Sequence, residues 1–193
     1  MILFDKVGET PLDDISGLKI EGITTRSELD EAEAENILEA FLKYTVNTEQ
    51  LSAIRFDTLF LQQLHKDMFG NVWSWAGEFR TTQTSIGTEA VNIRQALYRL
   101  MDDLAFWETS WEYEDTAVKL HHSLVKIHPF LNGNGRCARL FTDLWLLSIG
   151  KDMLEWGNED IDKVNISRAE YIRALQEADH GNYDYLKRFM FPE

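Results

Sequence analysis

The chain has 193 residues, 44% of them hydrophobic and 12% aromatic, with six tryptophans, so it can bury the core of one domain and is not a solvated, disordered chain. Its formal charge of −14 disfavours nonspecific attachment to nucleic acid or to an anionic membrane, both of which reward excess lysine and arginine. A lone cysteine, Cys137, excludes an internal disulfide, and no Cys/His spacing suits zinc. No run of 18 apolar residues and no basic-then-apolar leader occurs. These features predict a cytoplasmic protein with neither a membrane nor a nucleic-acid partner.

Residues 1–22, with Pro11 and little apolar periodicity, read as an irregular arm, and residues 23–193 as a single domain. Thr25 and Glu28 are spaced as a capping box that opens a helix over 26–43. That helix is acidic on one side and carries Leu29, Ile37, Leu38 and Phe41 on another. Residues 51–69 place Leu59, Phe60, Leu64, Met68 and Phe69 at helical intervals, with His65 expected at the surface or the core edge. In the segment Asn71 to Arg80, Trp73 and Trp75 suit core packing better than base stacking. Thr81 to Gly87 is Thr-rich and Gly-ended, the pattern of a short hairpin or extended loop. Helices are predicted over Asn92–Thr109 and Asp115–Ile127, the second leading directly into His128. His121 and His122 lie about two turns earlier and belong to the framework, His121 being the one expected to touch the core.

The most informative stretch is His128-Pro129-Phe130-Leu131-Asn132-Gly133-Asn134-Gly135-Arg136, followed by Arg139. An extended His-Pro pair precedes two glycines that permit a tight turn, and a helix then opens with Asn134, Arg136 and Arg139 near its start. The first turn of a helix has unpaired N–H groups and a positive dipole end, and two arginines add forked donors, so the stretch reads as a phosphate site. A neighbouring histidine can take the proton of an attacking hydroxyl. The plainer alternative is a Gly-Asn turn between core helices with solvated arginines. Beyond it, Cys137 to Ile149 is apolar nearly all round, as a central buried helix should be, and Gly150 is its natural stop.

This stretch resembles the core motif of the Fic (filamentation induced by cyclic AMP) family, His-Pro-Phe-x-Asp/Glu-Gly-Asn-Gly-Arg-x-x-Arg, and departs from it at Asn132. The resemblance implies an all-α fold, a helical bundle around a buried central helix with a short β-hairpin flap near the active site. It implies a protein adenylyltransferase that moves AMP from ATP to a Tyr, Thr or Ser hydroxyl of a target protein. By the same resemblance His128 is the general base and Phe130 anchors the loop. Gly133, Asn134 and Gly135 form the anion nest, Arg136 and Arg139 hold the outer phosphates, and Tyr171 either packs on adenine or serves the core. Trp75-Ala76-Gly77-x-Phe79-Arg80 is similar to the family's lead-in to the flap. The flap itself, Thr82, Gln83, Thr84, Ser85, Ile86 and Gly87, would bind an extended segment of the target.

The family holds magnesium or manganese through the acidic residue that is Asn132 here, a neutral amide where such ions prefer carboxylates. Some relatives also carry an inhibitory helix of pattern Ser/Thr-x-x-x-Glu-Gly/Asn, whose glutamate pairs with the second arginine of the motif. Glu31 (with Ser27) and Glu35 (with Asn36) each fit that pattern in part, which makes Arg139 the expected partner; a solvated acidic face is the alternative. Two other functions stay open: a nucleotide-binding regulator with little turnover, or a Fic enzyme that transfers or removes another phosphate-containing group. The oligomeric state is open as well.

Overall fold

The computed structural model describes residues 16–46, 51–156 and 164–192. Among them are seven α-helices and no strand. These are α1 (Arg26–Thr45), α2 (Thr58–Phe69), α3 (Ile93–Ser110), α4 (Tyr113–Ile127), α5 (Asn134–Ser148), α6 (Val164–Asp179) and α7 (Asp184–Met190). The capping box forms as its spacing predicts: the Thr25 side chain accepts from the Glu28 N–H, and the Glu28 carboxylate accepts from the Thr25 N–H at 2.9 Å. Asp57 caps α2 by accepting from the N–H groups of Leu59 and Phe60. The predicted 51–69 helix is thus interrupted: residues 51–52 are helical, residues 53–57 are not, and Asp57 restarts the helix at Thr58.

Helix α5 is the axis of the bundle. It buries Cys137, Ala138, Leu140, Phe141, Leu144, Trp145 and Leu146 and packs against α4, α2 and α1. The remaining helices close around it, α3 on α4 and α7 on both α6 and α4. Gly150, at φ 73°, ends α5 with its N–H donating to the Leu147 carbonyl, and Lys151 N–H reaches back to Leu146. Of the arm, residues 16–22 fall among the described residues and residues 1–15 do not. Leu18 bridges to Trp73, Lys19 N–H donates to the Val72 carbonyl, and Ser74 N–H donates to Gly17, so this strip is laced to the Trp segment.

Two expectations change. Leu38 and Leu59 do not join the core; they are 55% and 75% exposed, because the helix phase is set by Leu29, Glu33, Asn36 and Ala40 in α1 and by Leu61, Leu64, His65 and Met68 in α2. His65 is fully buried rather than peripheral. Its ring stacks on Phe130 with centroids 3.7 Å apart; Nδ1 accepts from the Gly77 N–H at 2.9 Å, and Nε2 therefore carries the proton it donates to the Asn132 carbonyl at 3.0 Å. Burial foremost holds its pKa down at about 3, and holds that of the equally buried His121 there too.

Replacing Leu144 by Ala should remove about 2–5 kcal/mol of stability by leaving a cavity beside the axis helix, measured by denaturant unfolding. The buried histidines make stability pH-dependent. The unfolded chain protonates His65 near 6.5 and the folded chain only near 3, so the neutral form's contribution is whole above pH 6.5 and declines as pH falls. Asp143, whose carboxyl burial raises to about 6, acts in the opposite sense below pH 6. Comparing His65→Gln with the wild type isolates the histidine: the variant should be less stable at pH 7, but its loss between pH 7 and pH 5 should be smaller by roughly 2 kcal/mol.

Candidate active site

The loop between α4 and α5 carries His128 and delivers the chain to the start of α5. His128 sits at φ 52° and ψ 61°, a left-handed conformation that side chains other than glycine rarely adopt. Gly133, at φ 74°, has the ring of Phe69 2.6 Å from where a Cβ would lie, so no larger residue fits. Between them the Asn134 side chain closes the loop on itself, accepting from the Phe130 N–H and donating to the Phe130 carbonyl, each at 2.8 Å. This engages the side chain that sequence reading assigned to the anion nest. The nest that remains is main chain: the first helical bond runs from Cys137 N–H to Gly133, leaving the N–H groups of Asn134, Gly135 and Arg136 ahead of it. A Cβ on Gly135 would meet nothing within 4 Å, so this side of the turn is open to an approaching anion.

His128 is 6% exposed, and both ring nitrogens are buried with no hydrogen-bond partner among the described residues. Burial first, and the Arg80 charge second, hold its pKa down at about 4, so at neutral pH the ring is the uncharged form that can accept a proton.

The two arginines of the motif point to different partners. Arg136 lies over the Phe69 ring and pairs with Glu33, Nη1 to Oε2 2.5 Å. Arg139 lies over the Tyr171 ring, guanidinium to centroid 5.2 Å, with its Nε buried and without a partner among the described residues. The Tyr171 hydroxyl bonds to His121 Nε2 at 2.8 Å, so Tyr171 joins the second arginine to the framework.

Glu33 is the residue that sequence reading missed. It is 1% exposed and is gripped twice, by Arg136 and by the Trp73 indole N–H at 2.6 Å, while Glu31 and Glu35 face solvent. The glutamate that meets the motif is thus neither of the two expected, and the arginine it meets is Arg136 rather than Arg139. A signal was present: Glu33 lies four residues after Leu29 and three before Asn36, on the buried face of α1. Trp73 is a core residue, stacked on Trp75, whose indole N–H also positions this carboxylate.

The flap segment forms no hairpin. Residues 81–89 run as a chain of bends with no ladder partner, mostly exposed, including Thr82, Gln83, Ser85, Ile86 and Gly87. Its internal bonds are local, such as Thr84 Oγ1 donating to the Ile86 carbonyl at 2.6 Å. Among the described residues no strand pairs with it; the Thr82 and Thr88 carbonyls instead accept from Arg80. Arg80, which precedes it, is buried and donates to three carbonyls around the loop.

Asn132 lies at the turn, its side-chain oxygen accepting from the Gly133 N–H at 2.7 Å and its carbonyl accepting from His65. Among the described residues no group of three or more His, Cys, Asp or Glu gathers to hold a metal. A single neutral oxygen already engaged by the main chain does not fit a resident magnesium or manganese ion. None of the described helices is long and apolar enough to cross a membrane.

The Fic/DOC family model matches residues 55–146, from α2 to the end of the axis helix. The chain is 28% identical over 161 residues to the protein adenylyltransferase Fic of Nematostella vectensis, covering 79% of this chain and 36% of that protein. It is 29% identical over 171 residues to the protein adenylyltransferase VbhT of Bartonella schoenbuchensis, covering 81% and 34%. The chain thus spans about a third of the length of these curated relatives. Among solved structures, the BepC effector of Bartonella tribocorum, crystallised with bound AMPPNP, superposes with a TM-score of 0.65 at 19% identity over 91% of this chain and 90% of that one. The buried helix whose open first turn follows a His-Pro-Phe loop lies within the stretch that the Fic/DOC family model matches, and the chain is similar along most of its length to proteins named protein adenylyltransferase.

Proposed function

We propose that this chain is a protein adenylyltransferase that moves AMP from ATP to a side-chain hydroxyl of a target protein. The observation that carries this reading is the pairing of a buried imidazole on His128 with the open main-chain N–H groups that follow Gly133 in the same loop. The α-phosphate lies over the N–H groups of Asn134, Gly135 and Arg136, and the outer phosphates meet Arg136 and Arg139. The target runs along residues 82–87 as an added strand, which would give the open loop the ladder it lacks alone. His128 takes the hydroxyl proton as the oxygen attacks the α-phosphorus in line. The bond to the bridging oxygen breaks, pyrophosphate leaves, and the target carries a phosphodiester-linked AMP. Magnesium or manganese could accompany the nucleotide, but no step here runs through a metal, since Asn132 does not suit one.

On this reading the Glu33–Arg136 pair is a resting restraint. A buried carboxylate stripped of its partner costs about 3–5 kcal/mol, so the outer phosphates cannot take Arg136 unless Glu33 also moves. Autoinhibition is therefore built on Glu33, not on Glu31 or Glu35. The family's pairing with the second arginine is replaced by a pairing with the first. The second reading, a nucleotide-binding regulator with little turnover, is favoured by one observation, the neutral Asn132 at the metal-binding position of the motif.

The purified chain would be incubated with cell extract and either α-³²P or γ-³²P ATP. Label should enter protein from the α position alone, and His128→Ala should reduce it by about 10²–10⁴-fold while ATP still binds. Label from the γ position would instead indicate phosphate transfer. Glu33→Gln removes the charge that holds Arg136 and should raise transfer at limiting ATP by about tenfold, roughly the worth of one charge-assisted hydrogen bond. Glu31→Gln and Glu35→Gln should leave the rate unchanged. A large gain from Asn132→Asp, starting from a wild type that binds ATP with negligible transfer, would favour the regulator.

A further inference from the structure

We propose that Arg80 is a positioning residue that locks the base His128 and the target-binding loop into one unit. The assignment rests on the reading of His128 as the base, and its geometry lies outside both the nucleotide site and the motif. Arg80 is 3% exposed, and the hydrogen-bond partners of its guanidinium among the described residues are main-chain carbonyls on two separate segments. Nε donates to the His128 carbonyl at 2.7 Å, Nη1 to the Thr82 carbonyl at 2.9 Å, and Nη2 to the Thr88 carbonyl. The first holds the base; the other two hold the entry and exit of the flap. Its backbone N–H also donates to the Pro129 carbonyl at 2.9 Å, and Thr88 N–H donates to Ile127 at 3.1 Å, so the loop is sewn to both flanks of His128.

Three features mark this arrangement as one that serves the site rather than one that only fills the core. A buried cation faced by carbonyl dipoles is an expensive device, kept where a fixed geometry is needed. The residue it grips is also the strained one: His128 holds a left-handed backbone, a conformation that costs of order 1–3 kcal/mol and persists only where its surroundings over-determine it. The fit behind it is close as well. A Cβ at Gly87 would lie 2.6 Å from the His128 Cβ and 2.9 Å from Arg80 Nη2, so the flap backbone rests directly on the base, and glycine permits that approach. A target segment that adds to the flap is thereby registered against His128 through a single planar fork. Lysine carries the same charge on one rotatable ammonium and cannot reproduce the fork.

The test compares wild type, Arg80→Lys and Arg80→Gln, each also carrying Glu33→Gln to relieve the restraint, with thermal melting as a check of folding. For Arg80→Lys the maximal rate of α-³²P transfer to extract proteins should fall about 10–100-fold, the cost of misplacing a reacting group by about an ångström, while the KM for ATP stays within about twofold. A second arm needs no activity. The His128 ring signal in a ¹H–¹³C spectrum, identified by its absence in His128→Ala, should move in both Arg80 variants, while the signals of His65 and His121 hold their positions. Unchanged transfer in Arg80→Lys, a matching rise in KM for ATP, or a stationary His128 signal would each overturn the assignment. If no protein is labelled even by the Glu33→Gln chain, the adenylyltransferase reading fails, and the His128 signal still decides whether Arg80 holds that ring.

Discussion

The site depends on one side chain closing one loop. Asn134 occupies the first position of α5 and reaches back to take both main-chain groups of Phe130. A loop buried between two helices must satisfy its backbone polar groups or lose free energy for each one left bare. By satisfying them from within, Asn134 lets Phe130 sink fully into the core and frees the next N–H groups to face outward. The nest is open because the residue that might have capped it is occupied in building the loop.

Around that loop the framework acts through long-range pairs. His65 stacks on Phe130 and ties the Asn132 carbonyl to the Gly77 backbone, so the Trp segment and the motif loop share one buried ring. Arg80 does the same on the other side of His128, with carbonyls for partners. Both bring a donor from outside the motif to a carbonyl inside it. A loop held in this way can keep a left-handed histidine without a glycine to relieve it.

The acidic helix shows how packing changes the meaning of a charge. Glu31, Glu33 and Glu35 are alternate residues of one helix, and a change of about 100° per residue puts only the middle one on the inner face with Leu29. There it meets a cation and an indole N–H, and the same carboxylate that would be solvated one residue away becomes a lock on Arg136. Its hold depends on Trp73, whose segment is laced in turn to residues 17–19.

Local chemistry determined the elements and the motif. The capping box at Thr25 and Glu28, the apolar run of α5, its Gly150 stop and the His128-to-Arg139 pattern are written in neighbouring residues, and the helices began and ended close to where those signals lie. The choice of glutamate, the burial of His65 and the reach of Arg80 were not legible in that way. They join residues 103, 67 and 48 positions apart, so they follow from helix phase and from how the elements meet. The flap differed for a related reason: its Thr-rich composition suits a strand, but a strand needs a partner, and packing sets Arg80 and Gly87 against His128 where a second strand would have to pair. A side chain's type and near neighbours are local and can be read in order. Which cation a buried carboxylate meets is decided only when the core closes.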